Sequence, residues 1–157
     1  MTTTSEQRHA IEELVYRSCL ALDAKDWKGF LELCDPGFRY SITAFSPELR
    51  KDMTWLDHDR EGFATLLGNL PKHNSDHSPI TRHATVYTVE LAAGGNEAKV
   101  VSALQVFRTS LDGGATELFA VGHVHDTVKL DGGGPKLGAR TVRLDTRLLG
   151  FGYHVPF

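Results

Sequence analysis

From Pro79 onward the chain is written in long alternating segments broken by glycine-rich turns, and this pattern restricts the fold more than any other feature of its 157 residues. Gly94-Gly95-Asn96, Asp112-Gly113-Gly114 and Asp131-Gly132-Gly133-Gly134 separate four runs, near Thr81 to Leu91, Lys99 to Ser110, Glu117 to Leu130 and Leu137 to Leu149. Alternation of apolar and polar residues sends one side of each run into a core and the other outward. Links this short suit antiparallel neighbours. Strands of about 11 to 14 residues exceed the usual length, so bulges and a strongly curved sheet are expected.

The first half reads differently. A capping-box pattern, Thr4 with Gln7, precedes apolar residues at Ile11, Leu14, Val15 and Leu22, with Ser18 as a small polar interruption of one helix face. Asp26 can cap a second, short helix carrying Phe30, Leu31 and Leu33, which the turn Asp35-Pro36-Gly37 ends. Phe38 to Ile42 reads as a short strand, followed by an irregular segment through Pro47. Asp57 or Asp59 can cap a third helix with the face Phe63, Leu66, Leu67 and Leu70, closed by Pro71. Helices followed by an antiparallel sheet make an α+β fold. The expected arrangement is one domain over 1–157: a helical part at about 4–71 packed in the concave face of a sheet meander at about 80–149, then an apolar tail at 150–157, together forming a cone.

Bulk properties narrow the function classes. The length suits one domain with a real core. A formal net charge of −3 without a basic patch offers nucleic acid no electrostatic footprint. No apolar run approaches the roughly 20 residues of a membrane span, and MTTTSEQRHAIEE lacks the basic and apolar regions of a signal peptide, so a cytoplasmic protein is expected. In that setting Cys19 and Cys34, the two cysteines of the chain, are expected as reduced thiols.

Four stretches carry a family likeness: Asp26-Trp27 through FLELCDPGFRYSI, the Ser78-Pro79-Ile80-Thr81-Arg82-His83 segment, the strand pair VVSALQVFRTS and TELFAVGHVHDTV, and ARTVRLDTRLL before the apolar tail. In this order and spacing, from about Leu22 onward, they resemble the β subunits of Rieske-type ring-hydroxylating oxygenases. These share the cone of nuclear transport factor 2, ketosteroid isomerase and scytalone dehydratase. The resemblance implies a partner, an α subunit that carries a Rieske 2Fe–2S cluster and a mononuclear Fe(II) held by two histidines and a carboxylate. It also implies an α3β3 assembly with a β trimer, fed with electrons from NAD(P)H through a reductase, in which the β chain is mainly structural. A Rieske centre needs two Cys-x-His arms; Cys19-Leu20-Ala21 and Cys34-Asp35-Pro36 offer neither, so no cofactor is expected on this chain.

VGHVHD, Val121 to Asp126, is the most metal-like stretch. His123 and His125 alternate onto one strand face with Glu117, Phe119 and Val121, whereas Leu118, Ala120, Gly122, Val124, Asp126 and Val128 share the other, mostly apolar and small. The small side is assigned to the interior and the histidines to the outer face, covered by a subunit interface. A metal would need a third ligand, and none is adjacent. His73 and His77, flanking Asp76, fall in a segment whose Asn74, Ser75 and Pro79 favour a loop. Arg143, Asp145 and Arg147 project from one side of the last strand, and Val142, Leu144 and Leu148 from the other; that charged row and the tail residues Tyr153 and His154 are also assigned to an interface.

The main expectation is therefore a non-catalytic β subunit without metal, in a complex that oxygenates an aromatic acid or another small substrate. The alternative is a free-standing isomerase, dehydratase or cyclase of the same fold. Tyr16, Asp23, Tyr40 and His83 would then supply acid/base chemistry in the cone; Arg82 and His83 alternate, so one of the two faces the cavity.

Overall fold

The structure, a computed structural model, describes residues 3–73, 76–149 and 156–157. Its elements are α1 (Ser5–Asp23), α2 (Trp27–Glu32), β1 (Cys34–Ser46), β2 (Lys51–Asp59), α3 (Arg60–His73), β3 (Ile80–Leu91), β4 (Glu97–Thr109), β5 (Thr116–Lys129) and β6 (Lys136–Leu144). Each helix starts where a short polar side chain satisfies an otherwise orphaned N–H. Thr4 Oγ1 accepts from Gln7 N and Gln7 Oε1 accepts from Thr4 N, both at 3.1 Å. Asp26 caps α2 through Gly29 N, and Asp59 caps α3 through Gly62 N at 2.8 Å. Asp57, the other candidate, is ion-paired with Arg39 instead. Pro71 does not close α3, which runs on to His73; in the last turn a proline forfeits one hydrogen bond without stopping the residues beyond it.

One sheet carries all six strands in the order β2-β1-β6-β5-β4-β3. Every neighbouring pair is antiparallel except β1 and β6, which run parallel with Ser41 beside Thr141. Two strands therefore interrupt the expected helical part. β1 extends well beyond Phe38–Ile42 and through the segment to Ser46 expected as irregular, and 51–59, for which the sequence suggests no strand, forms the edge strand β2. Its sequence KDMTWLDHD has no alternation because neither face is fully covered; pairing with β1 alone makes it a strand.

The long strands bend at bulges, as their length requires. Register shifts occur at Val86/Thr88 between β3 and β4, at Val106/Phe107 between β4 and β5, and at Thr127/Val128 between β5 and β6. The second corrects the alternation assigned to β5. Ala120 opposes Val106 and Leu118 opposes Phe107, so Phe119 is the extra residue. Phe119 consequently turns into the core at 9% exposure and Leu118 turns out at 54%. β6 likewise stops at Leu144 rather than Leu149. Asp145 N and Thr146 N both reach Val121 O, pulling the chain out of the ladder, and Leu148 is exposed rather than part of an apolar face.

α1 lays Ile11, Leu14, Val15, Ser18 and Leu22 against the inner face of the sheet, while α2 and α3 pack over β1. Phe30, Phe38, Tyr40 and Phe63 lock that end: Tyr40 and Phe63 stack at 4.4 Å, and the three phenylalanines meet edgewise at 5.7 to 6.0 Å. At the other end Gly122 lets β5 and β6 touch. A methyl group there would lie 2.1 Å from Arg143 O and 2.9 Å from Leu144 Cα, both backbone atoms that cannot swing aside. Gly122→Ala should therefore lower the unfolding free energy by about 1–3 kcal/mol, the usual cost of overpacking. Amide exchange would report it, with protection lost first across the β5–β6 ladder; unchanged protection would show that the strands separate freely at this point.

Candidate functional site

The inner face of the sheet and α1 enclose the space where a cone-fold enzyme would hold its substrate. Two ion pairs cross it, one buried at both ends and one buried at its guanidinium end. Asp126 of β5 and Arg140 of β6 are register partners, and the guanidinium meets the carboxylate through Nε at 2.8 Å and Nη2 at 3.0 Å. Nη2 also donates to Ser18 Oγ at 2.9 Å, and that hydroxyl donates to Val15 O, so the network ends on the backbone of α1. Burial by itself would push the Arg140 pKa down; the Asp126 charge and its hydrogen bonds outweigh this and leave it raised.

The second pair closes the mouth. Asp23, the last residue of α1, accepts from Arg82 N at 3.0 Å and from Arg82 Nη1 at 2.8 Å. Arg82 Nη2 donates to Pro156 O at 2.7 Å, and Tyr40 Oη accepts from Phe157 N at 2.9 Å and donates to Phe157 O at 3.1 Å. The Phe157 ring is thereby drawn inside, 6.2 Å from the Phe119 ring. The void left among Val15, Leu22, Ala84, Val124 and Phe157 measures about 10 Å³, at the threshold for one water molecule. The inner part of the cone is thus occupied by side chains of the chain itself.

Of the residues considered for acid/base chemistry, Tyr40 and Asp23 serve this filling. Tyr16 lies half-exposed on α1, its hydroxyl accepting from Val86 N, and His83 points outward against Phe107. Arg82, its neighbour, is the one that faces inward. Sequence reasoning missed the Asp126–Arg140 pair, although the signal was present: Asp126 shares strand parity with Gly122, Val124 and Val128, and a charge on an apolar side must find a partner.

His123 and His125 stand on the outer face, exposed, as strand parity requires. His123 sits across from Arg143 and 6.2 Å from the Tyr87 ring, and His125 across from Thr141. Together with Thr43, Phe45, Arg143 and Asp145 they border a recess of about 120 Å³. Partial burial, then the charges of Arg143 and His123, hold the His125 pKa below its ordinary value. Among the described residues no three His, Cys, Asp or Glu side chains gather as a metal would require. Arg143 and Arg147 are both engaged within the chain, with Asp52 at 3.1 Å and Glu48 at 2.7 Å. The Arg147 contact holds Glu48 down at about 2. Asp76, between the two other histidines, pairs with Arg108, and His77 is exposed. Tyr153 and His154 lie outside the described residues.

Neither thiol is poised for nucleophilic chemistry. Cys34 is buried with its Sγ 3.4 Å from Phe30 O, and burial pushes its pKa up to about 12. Burial also raises Cys19. A thiolate is the form that ligates iron and attacks disulfides. In the folded chain at pH 7.5 neither cysteine should react with a disulfide reagent within minutes, and both should react in 6 M guanidinium. A fast-reacting thiol in the native protein would contradict the burial of Cys34.

A family model described as a SnoaL-like domain matches residues 3–141. The chain belongs to the SnoaL-like family. Within it, the methanesulfonate monooxygenase hydroxylase subunit beta of Methylosulfonomonas methylovora is 43% identical over 154 residues, covering 94% of this chain and 85% of that one. The 2-aminobenzenesulfonate 2,3-dioxygenase subunit beta of an Alcaligenes species is 34% identical over 148 residues, covering 94% and 97%. Among solved structures, one provisionally described as the β subunit of an aromatic-ring-hydroxylating dioxygenase from Novosphingobium aromaticivorans superposes with a TM-score of 0.72 at 22% identity, over 89% of this chain and 90% of that one. The resemblance to oxygenase β subunits read from the sequence is thus borne out, and the chain is the small subunit of an oxygenase complex. No helix among the described residues is long and apolar enough to cross a membrane.

Proposed function

We propose that this SnoaL-like chain is a structural subunit that trimerises and supports an α trimer in an α3β3 hydroxylase. The observation that carries this reading is the packed inner part of the cone: Phe157, Tyr40 and the buried Asp126–Arg140 pair occupy it, and the void among them measures about 10 Å³. In the proposed complex the α subunit supplies the Rieske cluster and the mononuclear Fe(II), and electrons arrive from NAD(P)H through a reductase in the cytoplasm. The relatives, subunits of a methanesulfonate monooxygenase and a 2-aminobenzenesulfonate dioxygenase, support a small organic sulfonate as substrate, with an aromatic acid as the other candidate. His123, His125, Arg143, Asp145 and Arg147, with Tyr153 and His154, are proposed interface residues. A free-standing isomerase, dehydratase or cyclase is disfavoured because its acid/base candidates do not converge: the Tyr40 hydroxyl is bound to Phe157, Asp23 is paired with Arg82, and His83 faces outward.

Co-expression with an α subunit followed by native mass measurement tests this reading. An α3β3 mass is expected. His123→Ala/His125→Ala should weaken assembly by about tenfold, the loss of roughly 1.4 kcal/mol at an interface, with little change in the melting temperature of the isolated chain. A monomeric chain that turns over substrate alone and ignores its α subunit would sink the proposal.

A further inference from the structure

Outside the plug, on the far side of Leu22 and Arg82, lies a second and larger space. It is a cleft of about 380 Å³ between the ends of α1 and α3 and the start of β3, within the size range of small-molecule sites. Its walls are apolar: Leu22, Leu70 and Ile80 are core residues, and Trp27 is half-buried beside them. The polar groups on its border are unevenly matched. Asp23 and Arg82 neutralise each other at 2.8 Å. Lys25 and His77 also border it, both exposed, and neither makes a salt bridge among the described residues. Asp76, the carboxylate next to His77 in sequence, is turned away to Arg108 at 3.1 Å.

An apolar cleft bordered by a lysine and a hydrogen-bonding imidazole, with its one carboxylate already paired, selects for an amphipathic anion. We infer that this cleft is a binding site for a small organic anion of about one ring, its apolar body against Trp27, Leu70 and Ile80 and its acidic group toward Lys25 and His77. The choice of a sulfonate as that anion rests on the proposed function; the charge pattern and the apolar walls do not. Such a site would let the small subunit hold or sense the substrate class of its complex without performing chemistry.

Lys25 offers a clean test because its φ is +56°, a left-handed conformation that glycine adopts more readily than lysine. Lys25→Gly removes the charge without threatening the fold. Titration calorimetry of the full chain with benzenesulfonate should give saturable one-to-one binding. Lys25→Gly and His77→Gln should each weaken it by about three- to tenfold, and the pair together by more than tenfold, the ordinary range for an exposed charge or hydrogen-bond donor on an anion. Toluene, with the ring but no charge, should bind at least about tenfold more weakly. Absence of saturable binding, equal affinity in both variants, or equal affinity for toluene would each overturn the inference. Because the isolated chain is used, failure to form a complex with an α subunit leaves the result intact, and absence of benzenesulfonate binding leaves complex formation intact.

Discussion

Arg140→Ala should lower the unfolding free energy by about 3–5 kcal/mol in urea denaturation, because it strands a carboxylate in the core. Asp126 is 2% exposed and Arg140 3%, and the pair is tied to Ser18 and hence to the backbone of α1. With the guanidinium gone, Asp126 loses its charge partner and both hydrogen bonds from it while remaining buried. Asp126→Ala should cost a similar amount by leaving the cation unpaired. The double variant Arg140→Met/Asp126→Leu should recover most of the loss, since an apolar pair of similar volume has no charge to desolvate. If either single substitution cost less than about 1 kcal/mol, the pair would have to be hydrated and the filled interior would be wrong.

Phe157→Ala should cost about 3–5 kcal/mol, the range for deleting a buried phenyl ring, and should open a cavity inside the cone. The ring is 2% exposed, and its backbone is bound at both N–H and C=O by the Tyr40 hydroxyl. Tyr40→Phe provides the complementary loss: it leaves both groups buried without that partner, at about 1–3 kcal/mol. The expected results are two lowered urea midpoints, with a small apolar dye binding to Phe157→Ala and not to the parent chain. A stability change below about 1 kcal/mol for Phe157→Ala would mean that 156–157 does not fill the cone, and the argument for a structural subunit would lose its carrier.

The parts of this fold that were legible in the sequence are those set by neighbours a few residues apart. Thr4 with Gln7 announces the start of α1, Asp26 that of α2, and the glycine turns separate β3, β4, β5 and β6 at nearly the observed positions. Strand parity sent His123 and His125 outward and Gly122, Val124 and Asp126 inward. Parity fails where a bulge intervenes: the extra residue at Phe119 inverts it, so Phe119 and Leu118 exchange sides. Nothing in TELFA marks a bulge, because the irregularity is a property of two paired strands and not of one. β2 was illegible for a related reason, since its strand character comes from β1 and its own residues have no period.

The sequence by itself determined the class of fold, the family likeness and which residues of VGHVHD turn outward, because capping, turn chemistry and alternation act over a handful of residues. Only the tertiary structure decided that the inner part of the cone is filled. Asp126 and Arg140 are fourteen residues apart, Asp23 and Arg82 fifty-nine, Tyr40 and Phe157 one hundred and seventeen. Their meeting depends on sheet order, on the parallel seam between β1 and β6 and on the bulges that bend β4 and β5, none of which a local pattern encodes. A buried charge is stable only where its partner arrives, and that arrival is decided by the whole sheet and not by any one segment.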